Sequence, residues 1–160
     1  MNNYKEINGD LIQLAITGEF DVIAHGCNCF ATQKSGIAAQ MVSSFRTNTF
    51  PMERIDMVPI DRLSNIDWQV FNLPHDAGKK LTVVNAYTQY NYGTSTVNVD
   101  YDALRICMRK MNIIFRGQHI GLPQIGCGLA GGDWNIVQQI IKDEIKEALK
   151  KLKVPHIAEA

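Results

Sequence analysis

Apolar residues in this chain fall in short runs that alternate with stretches of helical spacing. FDVIAHG (20–26) is continuous and β-branched, the pattern of a buried strand. SGIAAQMVSSF (35–45) follows with Ile37, Met41, Val42 and Phe45 on one helical face, and Ser35 stands where an N-cap belongs. WQVFNL (68–73) and KLTVVNAYTQY (80–90) predict two more strands. VDYDALRICMRKMNIIF (99–115) places Leu104, Cys107, Met108, Met111 and Phe115 on one face behind a capping Asp100. HIGLPQIG (119–126) predicts a strand, and DWNIVQQIIKDEIKEALKKL (133–152) predicts the longest helix, capped by Asp133. Ile136, Val137, Ile140, Ile141, Ile145, Leu149 and Leu152 would line its buried side, with lysines gathered at the end the dipole favours. Residues 46–66 are mixed in pattern and read as irregular. Strand–helix alternation of this kind predicts an α/β fold with a largely parallel, covered sheet.

Composition narrows the picture. The chain of 160 residues reads as a single domain, 1–160, large enough to hold a core without staples. Sixteen Lys+Arg balance sixteen Asp+Glu, so nucleic acid is not an expected partner. MNNYKEINGD carries no secretory apolar region, and no run approaches the ~18 apolar residues of a membrane span. The four cysteines read as reduced thiols, which makes the cytoplasm the expected compartment and a monomer the simplest state.

Two loops carry the candidate chemistry. HGCNCFATQKSG (25–36) joins a strand to a helix, and GCGLAGG (126–132) does the same with G-x-G-x-x-G spacing. A full dinucleotide fold would need another strand bearing an acid about 20 residues on, and the helix uses up most of the remaining chain. What survives is the physical part, in which glycines admit close approach and amides at a helix start favour an anion. Ligands of open α/β sheets sit at the carboxyl ends of strands, so the two loops would clasp a diphosphate between them. Three or four such amide bonds at ~1.5–3 kcal/mol each would reach micromolar binding, near about −8 kcal/mol, after ordering costs.

Other chemistries fit less well. A cysteine phosphatase wants Cys-x5-Arg, but Gln33, Ser35 and Asp133 stand six residues after Cys27, Cys29 and Cys127. A Walker A loop fails because no glycine precedes Lys34–Ser35 in register. His25, Cys27 and Cys29 alternate on one strand face, a spacing unusual for zinc and short of a fourth ligand. Buried packing suits the cysteines better.

INGDLIQL (7–14), VIAHGCNCFATQKSGIAAQM (22–41) and LPQIGCGLAGGDW (122–134) together resemble the signature segments of macro domains, in the family's order. NAYTQYNYG (85–93) and HGCNC make the chain most similar to the small bacterial and phage branch related to ADP-ribose-1''-phosphate phosphatases. The resemblance implies a three-layer α/β/α sandwich with a mixed sheet, ADP-ribose or ADP-ribose-1''-phosphate as ligand, and no cofactor or metal. It implies Asp10 and the backbone of Leu11 at the adenine, and Asn28 at the distal ribose. Ser35, Gly36 and Ile37 would serve the first loop, and Gly126, Cys127, Gly128, Leu129 and Ala130 the second. Tyr87 and Gln89, with Tyr90 and Tyr92, would line the distal ribose or its phosphate.

The family's protein-directed hydrolases commonly carry asparagine where His25 stands and an acid where Ala38 stands. Another branch uses lysine and aspartate at the positions of Gln89 and Ala130. The phosphatase branch has a histidine at His25, which makes removal of the 1''-phosphate the expected activity. His25 would act there as nucleophile or as acid/base, with Asp133 as a second catalytic candidate. The alternatives are a binding module without turnover and a hydrolase of ADP-ribosylated macromolecules.

Overall fold

The computed structural model describes residues 4–76, 78–92 and 97–146, and the backbone of 152–156. Six strands form one sheet: β1 (Tyr4–Asn8), β2 (Val22–Asn28), β3 (Ile66–Asn72), β4 (Lys80–Gln89), β5 (Ile120–Gly121) and β6 (Leu152–His156). Their spatial order is β1-β6-β5-β2-β4-β3, parallel throughout except for β3, which runs antiparallel to β4 at the edge.

Helices cover both faces, which gives the covered sheet that the alternation predicted and the three layers that the resemblance implied. On one side α4 (Tyr101–Ile114) and α5 (Trp134–Glu144) pack Leu104, Met108, Met111, Val137 and Ile141 against Val22, Ala24, Val84 and Ala86. On the other, α1 (Leu11–Ile16) and α2 (Gly36–Phe45) pack Leu11, Ala15, Ile37, Met41 and Phe45 against Ile23, Leu81 and Val83. β2 and β4 are therefore apolar on both faces, as interior parallel strands must be. Among the described residues no helix is long and apolar enough to cross a membrane.

Several boundaries differ from the sequence reading. The strand over 119–126 shortens to Ile120–Gly121, because Pro123 has no N–H for the ladder and Gly126 turns the chain at φ +76°. The helix over 133–152 ends at Glu144, and Leu152 opens β6 instead of lining a helix. Leu149 lies outside the described residues, and Ile136 is exposed. β1 and α1 emerge from the polar N-terminal stretch, where Asp10 caps α1 by accepting from the Ile12 and Gln13 amides. Residues 46–66 are less irregular than their pattern. They hold a 3₁₀ turn at Thr47–Thr49, α3 (Pro51–Arg54), a second 3₁₀ turn at Pro59–Arg62, and the first residue of β3.

Candidate functional site

Because β1, β2 and β4 are parallel, their C-terminal ends share one edge of the sheet. A cleft of about 350 Å³ opens there between the two loops, in the size range of small-molecule sites. Its first wall is the Gly26–Asn28 end of β2 with the loop Thr32–Ser35 and the first turn of α2. Its second wall is Pro123 and Ile125 with Gly126 and Gly128–Ala130, and Gln89 and Tyr92 close one end.

The start of α2 is the most telling element. Ser35 takes the N-cap backbone conformation but makes no side-chain cap bond, so the first-turn amides have no carboxylate or hydroxyl of their own. Gly36 opens the helix at φ +60°, a left-handed conformation that suits glycine, and Lys34 supplies a cation at the rim. By contrast Asp10, Asp100 and Asp133 cap α1, α4 and α5 with their side chains. Among these helices α2 alone meets the cleft with an open, positively polarised end.

The second loop is closed on itself. The Gly132 amide donates to the Gly126 carbonyl at 2.7 Å and that of Gly131 to Gly128 at 3.0 Å. A Cβ on Gly132 would stand 2.5 Å from the Gly126 carbonyl oxygen, so the turn requires glycine there. Gly126, Gly128, Leu129 and Ala130 line the cleft as expected, whereas Cys127 does not. The start of α5 is no anion site, contrary to the sequence reading, because the Asp133 carboxylate already occupies it by accepting from Asn135.

His25 is not at the rim. Its side chain is fully buried, and its Nε2 donates to Asn85 Oδ1 at 2.6 Å, while Nδ1 has no partner. Burial holds the imidazole pKa down at about 4, and the Asn85 contact offsets only part of that. Strand alternation puts His25 on the opposite face of β2 from Gly26, where Asn85 of the paired strand meets it. It belongs to a polar row in register across three strands, His25 opposite Asn85 and Asn85 opposite Asp67. Tyr87 shares this layer. It is wholly buried rather than lining a ribose, and its hydroxyl stands beside Glu53 and Asn85 with no hydrogen bond closed.

The remaining residues sort as follows. Asn28 reaches the cleft wall, but its side chain is committed to its own loop. Nδ2 donates to the Thr32 carbonyl and hydroxyl, and Oδ1 accepts from the Phe30 amide. Gln89 lines the cleft and donates to the Asn91 carbonyl. Asp10 is exposed at the end of β1, outside the residues lining this cleft, and Leu11 is buried in the core. Asp133 is an exposed cap outside the cleft lining. Burial raises the Cys27 thiol well above its usual range and that of Cys29 to about 11, so neither is a ready nucleophile. No group of three or more His, Cys, Asp or Glu among the described residues is arranged to hold a metal ion.

Sequence reasoning missed Glu53, Arg62, Asp67 and Asn85, which build the layer beneath the first loop. Asn85 in the middle of VVNAY, and Asp67 in its neighbouring strand, were the available signal: a lone polar residue in an apolar strand needs a partner.

No family model matches the chain. It is 32% identical over 145 residues to an uncharacterised 17.5 kDa protein of Enterobacteria phage T4, covering 86% of each. The macrodomain of Thermus aquaticus DarG superposes with a TM-score of 0.65 at 17% identity, covering 97% of both chains. A Trypanosoma brucei macrodomain in complex with ADP-ribose gives a TM-score of 0.61 at 13% identity, covering 98% of this chain and 64% of that one. By fold the chain is a macrodomain, and by sequence it belongs to one family with the phage T4 protein.

Proposed function

We propose that the protein is an ADP-ribose-binding module, with the diphosphate seated between the start of α2 and the glycine loop. The observation that carries this reading is the uncapped N-terminus of α2 opening into the cleft beside Lys34. The T. brucei macrodomain holds ADP-ribose on the same fold, which supports the ligand's identity. Asp10, at the end of β1 on the same sheet edge, is assigned to the adenine end, and Gln89 and Tyr92 to the distal ribose.

Binding is favoured over phosphatase turnover because the described residues lining the cleft include neither an imidazole nor a carboxylate. The reagent named for that activity, His25, is buried beneath them. Calorimetric titration with ADP-ribose tests the proposal: micromolar affinity is expected, and its absence overturns the reading. A ³¹P NMR time course with ADP-ribose-1''-phosphate tests turnover. Shifted diphosphate resonances without inorganic phosphate are expected, and phosphate release would instead restore the phosphatase.

A further inference from the structure

The first cleft loop meets the end of β4 at Cys29, whose thiol donates to the Gln89 carbonyl. Below it runs the 46–62 segment, and the two are joined at both ends of the loop. At the near end, Arg62 is buried and donates through Nη1 to the Cys29 carbonyl at 2.7 Å. At the far end, Gln33 of the cleft wall sends its side-chain amide into this layer. Its Oε1 accepts from the Thr47 hydroxyl at 2.6 Å, and its Nε2 donates to the Thr47 carbonyl and to Glu53 Oε1. Between the two anchors Ala31 sits at φ +58°, a strained conformation for alanine that persists only when its surroundings hold it.

We propose that Glu53 is a positioning residue for the cleft. Through the Gln33 amide it fixes the loop that leads into α2, and so sets how well the open helix end meets an anionic ligand. The proposal rests on the ADP-ribose-binding reading for its ligand, but the placement of the loop stands on geometry alone.

Two observations separate this role from mere support of α3. First, α3 is tied down by other groups. Asp67 Oδ2 accepts from the Met52 amide at 2.7 Å, Arg62 Nε donates to the Met52 carbonyl, and the Glu53 amide bonds Phe50. Second, the Glu53 side chain hydrogen-bonds Gln33 through Oε1, and its other oxygen, Oε2, is buried in the layer that holds the Tyr87 hydroxyl, with no hydrogen bond closed. Removing the carboxylate therefore loosens the loop at Gln33, which keeps only its Thr47 bonds, and leaves α3 attached.

The groups facing Glu53 are Gln33, Tyr87, Asp67 and Arg62, with Cys27 nearby. Burial raises its carboxyl above the usual range, Gln33 and then the Tyr87 hydroxyl draw it back, Asp67 adds to the rise and Arg62 opposes it.

The test combines amide hydrogen exchange on the ligand-free protein with ADP-ribose titration, for wild type, Glu53→Ala, Glu53→Gln, Gln33→Ala and the double alanine variant. Loss of one charge-assisted hydrogen bond should speed exchange of residues 29–37 by about tenfold and weaken ADP-ribose by about tenfold. Exchange in α4 should not change. Glu53→Gln keeps an acceptor and should recover most of both effects, and the double variant should be no worse than either single one. Unchanged loop exchange in Glu53→Ala would overturn the proposal, as would equal acceleration in α4 or multiplied effects in the double variant. If Glu53→Ala does not fold, Gln33→Ala carries the same two readouts. If wild type does not bind ADP-ribose, the ligand reading falls, and the exchange measurement still decides the positioning role.

Discussion

His25 should make the stability of this protein depend on pH in a way that one substitution removes. An imidazole in the unfolded chain takes up a proton near 6.5, whereas burial holds the folded one at about 4. As the pH falls below 6.5 the unfolded state binds a proton that the folded state refuses, so stability falls with pH through that window. The group is fully buried, so no solvent screening discounts the effect. Integrating over the two pKa values gives a loss of about 2 kcal/mol at pH 5 and about 3 kcal/mol at pH 4. Glu53 and Asp67, both raised by burial, act in the opposite sense, because the folded state holds their protons longer. Both remain in a His25→Gln variant, so the difference between the two proteins isolates the imidazole. Urea unfolding followed by tryptophan fluorescence at pH 7 and pH 5 measures it. Wild type should be the more stable at pH 7, since Asn85 keeps its 2.6 Å partner, and its advantage should shrink by about 2 kcal/mol at pH 5. The same advantage at both pH values would refute the reasoning. An imidazole NMR titration near 6.5 would do so directly and would return His25 to candidacy as a reagent.

Two further substitutions bear on the walls of the cleft. Gly126→Ala forces alanine to φ +76° and places its Cβ 2.7 Å from Val99 Cγ2. A left-handed alanine costs about 1–2 kcal/mol before any clash, so a thermal melt should fall by roughly 5 °C, and an unchanged melt would contradict the account. Arg62→Met strands the Met52, Cys29 and Ile55 carbonyls that the guanidinium serves at 3.0, 2.7 and 2.9 Å. About 3 kcal/mol should be lost in urea unfolding, and Arg62→Lys should recover little of it, because one ammonium lacks the fork that spans three acceptors.

Most of the architecture was legible because its interior strands and helices carry strong periods. VIAHG and KLTVVNAY are largely buried on both faces, and Leu104, Cys107, Met108 and Met111 all reach the core from the face their spacing predicts. β1 and α1 were not legible, since YKEIN is half polar and six helical residues offer too few turns for a period. The cleft was legible as two glycine-bearing loops, because backbone approach leaves a mark in composition. The depth of His25 was not. A strand end gives the same letters whether the side chain turns toward ligand or toward Asn85, and only the pairing of β2 with β4 decides which. The layer formed by Glu53, Arg62 and Asp67 was hidden for a related reason. Its contacts join a mixed segment to loop carbonyls far away in sequence, and such contacts obey no local period.

The strand order has a consequence for assembly. Among the described strands β1 pairs with β6 alone, with Tyr4 opposite Leu152, so the first strand has no neighbour until residues 152–156 are present. β2, β4, β3 and the first-loop wall depend on no such wait, since their ladders close within residues 22–89. During synthesis, then, the α2 wall of the cleft can form early, while the edge that carries Asp10 joins late, when residues 152–156 thread between β1 and β5. The cleft wall and the Asp10 edge, which the proposed ligand would span, are thus built at different stages of folding, and the later one depends on a single strand.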